Sequence, residues 1–302
     1  MFGQFFQYAM MYNGKKVKAP KPPEEIDDFE MKHVAVVGAG AFGTSMATIC
    51  ARAGHPTILY ARKENVIASI NENHINPEYL SKYTLPDLLT ATSDLDVALE
   101  ACDLLILALP AQIIPQWLHD NRNRIKPDLL ICNTAKGLFL KDKILLSEAV
   151  QRALGRDQPY AVLSGPSFAA EIMDNMPTAG STVHTPSSSL IDFNTSLTLV
   201  VIASKFLYHA VAIQRIMSSL MFRCYASQDV IGVELGGSLK NPLAIGAGII
   251  EGLGLGINTM AAYVTNSSIE LQSLCKAMGG DPQTISGLAG GMVIIYELLR
   301  PL

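Results

Sequence analysis

Three glycines in one short stretch, Gly38, Gly40 and Gly43, have the spacing Gly-x-Gly-x-x-Gly. In such a turn the first glycine permits the tight bend, the second lets a phosphate approach the backbone, and the third lets the following helix pack close to the preceding strand. The spacing alone is common, and a purely structural turn is the alternative reading. Its context argues for chemistry. His33-Val34-Ala35-Val36-Val37 before it is an uncharged run rich in β-branched residues, the pattern of a strand buried on both faces. Thr44 to Ala53 after it reads as helix. The amides at that helix start then face a pyrophosphate, where the helix dipole also favours negative charge. The chemistry implied is the holding of a dinucleotide.

Two cations are also placed to act. The end of the second strand carries Ala61-Arg62-Lys63 where an acidic residue would accept a ribose hydroxyl of NAD. Arg62 suits the 2′-phosphate of NADP, or is a solvated arginine at a turn, so NAD or NADP remains open. Lys240 lies in a long, mostly apolar stretch, Val230 to Ile250, whose nearest charges are Glu234 and Glu251. Glu234 is six residues away, roughly 240° around a helix, so no i,i+4 pair forms. The lysine either reaches solvent along its own stem or faces a polar pocket. Gly236 and Gly237 beside it each cost about 1 kcal/mol of helix stability relative to alanine, which suggests that something approaches closely there.

The elements that must position these groups alternate. Thr57 to Tyr60, Asp103 to Leu109, Leu129 to Asn133 and Tyr160 to Ser164 read as buried strands, with Glu64 to Asn73 and Lys143 to Leu154 helical between them. Strand-helix alternation predicts an α/β, Rossmann-type doubly wound parallel sheet. Beyond Ser227 the strand pattern gives way to two helical stretches, Val230 to Ile250 and Thr259 to Met278. Residues 1–32 are then an extension, 33–226 a dinucleotide-binding domain and 227–302 a partial, all-helical domain for substrate and dimerisation. One segment breaks the order: residues 180–199 are rich in Ser and Thr, and without them Pro177-Thr178-Ala179 would run into Val200-Val201-Ile202 as one strand. A structureless insert of that length is unusual within a domain.

Composition narrows the classes. The chain has 302 residues, 49% hydrophobic and 17% charged, with net charge −4, which fits a globular protein and gives no basic field for nucleic acid. No apolar run approaches the roughly 20 residues of a membrane helix. The five cysteines are scattered without a CxxC pair and the six histidines lie apart, so buried thiols and no metal site are expected. Residues 1–32 lack the pattern of a secretory or transit peptide. A cytosolic address follows, with a plastid or other organelle left open.

Taken together, a set of motifs resembles one family. They are Gly38-Ala39-Gly40-Ala41-Phe42-Gly43-Thr44, Asn71-Glu72-Asn73-His74, Ala108-Leu109-Pro110-Ala111-Gln112, Ala135-Lys136-Gly137-Leu138, Ser164-Gly165-Pro166-Ser167-Phe168-Ala169 and Val233-Glu234-Leu235-Gly236-Gly237-Ser238-Leu239-Lys240-Asn241. From about His33 to Gly290 their order and spacing are similar to those of the NAD(P)-dependent glycerol-3-phosphate dehydrogenases, the segment 180–199 excepted. The resemblance implies an oxidoreductase that interconverts sn-glycerol 3-phosphate and dihydroxyacetone phosphate in glycerophospholipid metabolism. It implies Lys240 as the catalytic acid/base, with Lys136, Gly165, Ser167, Lys240 and Asn241 about the substrate. Gly38, Gly40, Ala41, Phe42, Gly43, Arg62, Lys136 and Ala169 would border the NAD or NADP. It also implies a homodimer formed through the helical domain.

The family's pattern continues after Gly290 with a Gly-Asp segment and a Ser-Arg-Asn motif; here Gly291-Met292-Val293-Ile294-Ile295-Tyr296 follows instead. The expectation is therefore a family member interrupted at residues 180–199 and 291–302, both read as products of altered splicing or gene assembly. Its alternative function is a non-catalytic relative that holds NAD(P) without turnover. A dehydrogenase of a β-hydroxy acid on the same plan is disfavoured by Lys136 and the Gly165-Pro166-Ser167 loop.

Overall fold

The structure, a computed structural model, describes residues 30–174 and 198–288. The chain divides into two units, residues 1–31 and 32–302, and every element below lies in the second. Apolar, uncharged runs form the central strands: β1 (Val34–Val37), β4 (Leu104–Leu107) and β6 (Tyr160–Ser164) are buried along their whole length. Consecutive side chains of a strand point to opposite faces, so such strands need cover on both. Val34, Val36, Leu104 and Ile106 pack with Met46 and Ile49 of α1 (Ala41–Arg52) and Ile213 of α7 (Leu207–Met217) on one face. Ala35, Val37, Leu105 and Leu107 pack on the other with Ile114 of α4 (Ile114–Asn121), Val150 of α5 (Leu146–Leu154) and Val233 of α8 (Val230–Gly252).

With β2 (Thr57–Tyr60), β3 (Leu89–Thr92), β5 (Leu130–Asn133), β7 (Thr198–Ala203) and β8 (Phe222–Ser227), the strand order is β3-β2-β1-β4-β5-β6-β7-β8. The first six are parallel. The order reverses between β1 and β4, and at such a switch point a crevice opens outside the carboxyl ends of the strands. Helices α2 (Glu64–Asn73) and α3 (Leu95–Leu99) complete the first half.

The sheet departs from the expected all-parallel arrangement at one junction. β7 runs antiparallel to β6, with Ser164 opposite Val201 and Val162 opposite Ala203. The described helix after β6, α6 (Ala169–Asp174), has six residues, about 9 Å of rise. Thr198 and Leu199, read as the end of an insert, are the first residues of β7. The rest of that segment and residues 289–302 lie outside the described residues.

After β8 the chain is helical. Asp229 caps α8 by accepting the Gly232 amide at 2.9 Å, and its other oxygen accepts the Asp281 amide at 3.0 Å. One carboxylate thus joins the starts of α8 and α10 (Pro282–Ser286). Leu235, Leu271, Cys275 and Ile285 form a small core between α8, α9 (Gly256–Ala277) and α10. All five cysteines are free and buried. Among the described residues no helix is long and apolar enough to cross a membrane.

Candidate active site

The glycine-rich turn lies at the switch point as its spacing predicts. Gly38 has φ +115°, and a Cβ there would fall 2.4 Å from the Ala108 carbonyl oxygen of the β4 edge. A Cβ on Gly43 would lie 1.8 Å from the Gly38 oxygen, which is how closely α1 packs on the turn. Around Gly40, by contrast, a Cβ would meet nothing within 4 Å. That open side faces a cleft of about 980 Å³ lined by the turn, by Ala41, Phe42 and Arg62, and by Lys136 across the switch point. Gly40 caps α1 with no side-chain bond to its first amides. The cradle fits a pyrophosphate. Arg62 is exposed at the cleft, while its neighbour Lys63 is paired with Glu78 at 2.6 Å.

Across the crevice, the loops after β5 and β6 converge. The Lys136 ammonium donates to the Gly165 carbonyl at 3.5 Å, and the Ser167 hydroxyl donates to the same oxygen at 3.2 Å. Gly165 has φ +156°, and a Cβ there would strike the Leu199 oxygen at 2.7 Å, so β7 presses against this turn. Ala169 opens α6, and its carbonyl accepts the Ser45 hydroxyl at 3.2 Å, which ties α6 to α1 behind the glycine-rich turn. Lys136, Gly165 and Ser167 therefore form one group, and Ala169 is joined to the helix that starts at the cradle.

Helix α8 lies against this group. A Cβ on Gly237 would sit 2.5 Å from Ser164 Oγ and 3.9 Å from Lys136 Cγ, so the absence of a side chain there lets the helix approach both. Ser164 Oγ is buried and has no hydrogen-bond partner among the described residues. Lys240 is three residues on, one turn along the same face, and only 4% exposed. Of the two readings open to it, a stem reaching solvent or a polar pocket, its burial excludes the first. Asn241 is exposed, and the next residue, Pro242, lies inside the helix without an N–H for the Ser238 carbonyl.

Sequence reasoning missed a buried carboxyl. Glu234 is 5% exposed. Its Oε1 accepts the Ser147 amide at 2.9 Å and the Tyr160 hydroxyl at 2.9 Å, and its Oε2 accepts the Ser147 hydroxyl at 2.6 Å. Burial pushes its carboxyl up to about 7 against the opposing pull of these bonds. Tyr160 is raised well above the ordinary phenol value by burial and by the charge of Glu234. The Asn133 amide donates to Tyr160 at 3.0 Å. The signal in the sequence was an acid inside an apolar helix, but its partners come from α5 and β6, which no local spacing connects.

Comparison with known proteins follows the same lines. The profile of the NAD-dependent glycerol-3-phosphate dehydrogenase N-terminus matches residues 33–189, and that of the C-terminus matches residues 229–294. The chain is 39% identical over 262 residues to the chloroplastic NAD(+) glycerol-3-phosphate dehydrogenase of Oryza sativa subsp. japonica, covering 86% of this chain and 55% of that protein. It is 36% identical to the NAD(P)+ glycerol-3-phosphate dehydrogenase of Syntrophomonas wolfei, covering 86% of this chain and 71% of the relative. The crystal structure of glycerol-3-phosphate dehydrogenase from Coxiella burnetii superposes with a TM-score of 0.76 at 31% identity, over 89% of this chain and 76% of that one. The chain thus spans between about half and three quarters of the length of these relatives. With the first profile alone covering more than half of its residues, the chain belongs to the NAD-dependent glycerol-3-phosphate dehydrogenase family.

Proposed function

We propose that this chain interconverts sn-glycerol 3-phosphate and dihydroxyacetone phosphate with NAD or NADP. The observation that carries the reading is the meeting of Lys136, the Gly165 turn and the buried face of α8 beside the glycine-rich cradle. Gly38, Gly40 and Gly43, with the first amides of α1, would hold the pyrophosphate. Ala41, Phe42 and Ala169 would border the cofactor, and Arg62 would meet the ribose, its charge tolerating a 2′-phosphate. The nicotinamide, when bound, supplies or accepts the hydride.

The remaining chemistry belongs to side chains of the chain. Reduction of a ketone turns its oxygen into an alkoxide, which must be stabilised and protonated. Lys240 is the group we assign to this step: as ammonium it donates the proton, and as amine it takes the hydroxyl proton in the oxidative direction. Lys136 supplies positive charge for the anionic substrate, with Gly165, Ser167 and Asn241 bordering it.

The test is an assay of the purified chain for dihydroxyacetone phosphate-dependent oxidation of NADH and NADPH. Turnover with dihydroxyacetone phosphate and none with a β-keto acid is the expected outcome. Cofactor binding without turnover would contradict the assignment and favour a binding protein.

A further inference from the structure

We infer that Glu234 is a positioning residue whose side chain fixes the start of the Lys136 loop, by one of two hydrogen-bond paths from this residue that flank Lys136. One path leaves the side chain. Tyr160 donates to Glu234 Oε1 at 2.9 Å and receives the Asn133 amide at 3.0 Å, and Asn133 Oδ1 accepts the Ala135 amide at 3.0 Å. The other leaves the backbone. The Glu234 carbonyl accepts the Ser238 hydroxyl at 2.6 Å, and Ser238 Oγ accepts the Gly137 amide at 3.0 Å. Ala135 and Gly137 flank Lys136, so the residue between them is held against α8 on either side.

The arrangement explains why an acid is buried here. Among the described residues its hydrogen bonds come from neutral donors only, Ser147 and Tyr160, so there it does not neutralise a cation. A buried acid without a charged partner is destabilising, and apolar packing would serve stability better. A carboxyl offers two oxygens with about four acceptor positions, and Glu234 uses them to join the start of α5, the end of β5 through Asn133, and β6. Protonation leaves the pattern intact, because an Oε2 hydroxyl donates to Ser147 Oγ, which can accept. Glutamine copies that protonated arrangement, with its NH₂ in place of the hydroxyl.

The inference rests on Lys136 facing the substrate, as proposed above, and its test separates the two. Amide hydrogen exchange across residues 134–137 is compared with that across residues 34–44 in the wild-type chain and in Glu234→Ala, Glu234→Gln and Tyr160→Phe. Exchange at 134–137 is expected to quicken at least tenfold in Glu234→Ala and several-fold in Tyr160→Phe. The 34–44 segment should keep its wild-type rate, and at pH 5, where the acid is protonated, Glu234→Gln should match wild type throughout. Wild-type exchange at 134–137 in Glu234→Ala, or loosening in Glu234→Gln equal to that in alanine, overturns the inference. If alanine loosens the whole sheet, Tyr160→Phe decides, and an unchanged 134–137 segment there overturns it as well. In the active chain, Glu234→Ala should raise KM for dihydroxyacetone phosphate about tenfold and be restored by glutamine. A wild-type chain that binds cofactor but does not turn over this substrate would sink the functional reading while the exchange result stands.

Discussion

Single side chains in this site are positioned by contacts that substitutions can read directly. An alanine at 237 would bring its Cβ to 2.5 Å from Ser164 Oγ but only 3.4 Å from Ser164 Cβ. Overpacking of that kind costs about 1–3 kcal/mol, against a helix-propensity gain of about 1 kcal/mol for alanine over glycine. Gly237→Ala alone should therefore lower stability in chemical denaturation, and adding Ser164→Ala should return it to wild type or above. A double variant no more stable than Gly237→Ala would contradict the contact.

Glu234 makes a second prediction at this scale. Its folded value is raised from 4.5 to about 7, so the folded state holds more protons than the unfolded one across that interval. Stability contributed by the protonated acid is then present below the unfolded value and is lost as pH rises through the folded one. The shift corresponds to at most about 3 kcal/mol. Glutamine does not ionise, so the stability of Glu234→Gln relative to wild type should grow between pH 5 and 8. A difference flat with pH would contradict this reading of Glu234.

Elements were legible where local pattern and burial coincide. Val34–Val37 is apolar at every position because helices cover both faces of β1, and the glycine spacing marks the turn after it. The direction of β7 was not legible: its residues read as a strand in either sense, and its pairing with β6 depends on where the chain re-enters the sheet. β8, with burial alternating along Phe222–Tyr225, lacks the continuous apolar run that marks a central strand. The site shows the same division. Gly38, Gly40 and Gly43 declare themselves by spacing, whereas the burial of Lys240 depends on α8 packing against Ser164 and Lys136, from segments far away in sequence. At this scale the fit of α1 against the turn is the most exposed to test. With a Cβ at 43 only 1.8 Å from the Gly38 oxygen, Gly43→Ala must displace the helix start. NAD(P)H affinity should fall more than tenfold by fluorescence titration, and unchanged affinity would contradict the cradle.

At the scale of the whole molecule, the described residues bring a dinucleotide cradle and a helical wall together at the switch point of one sheet. The first half of the proposed site is a property of the sheet, the second of α8, and the proposed reaction needs both. The claim joining them is that the buried Lys240 moves the proton that accompanies hydride transfer. General acid–base catalysis contributes about 10²- to 10⁴-fold to rate. The most direct measurement is kcat of Lys240→Ala beside wild type, with NAD(P)H affinity determined on the same preparations. A fall in kcat of at least a hundredfold at unchanged cofactor affinity is expected; a variant that keeps wild-type kcat would contradict the role of Lys240.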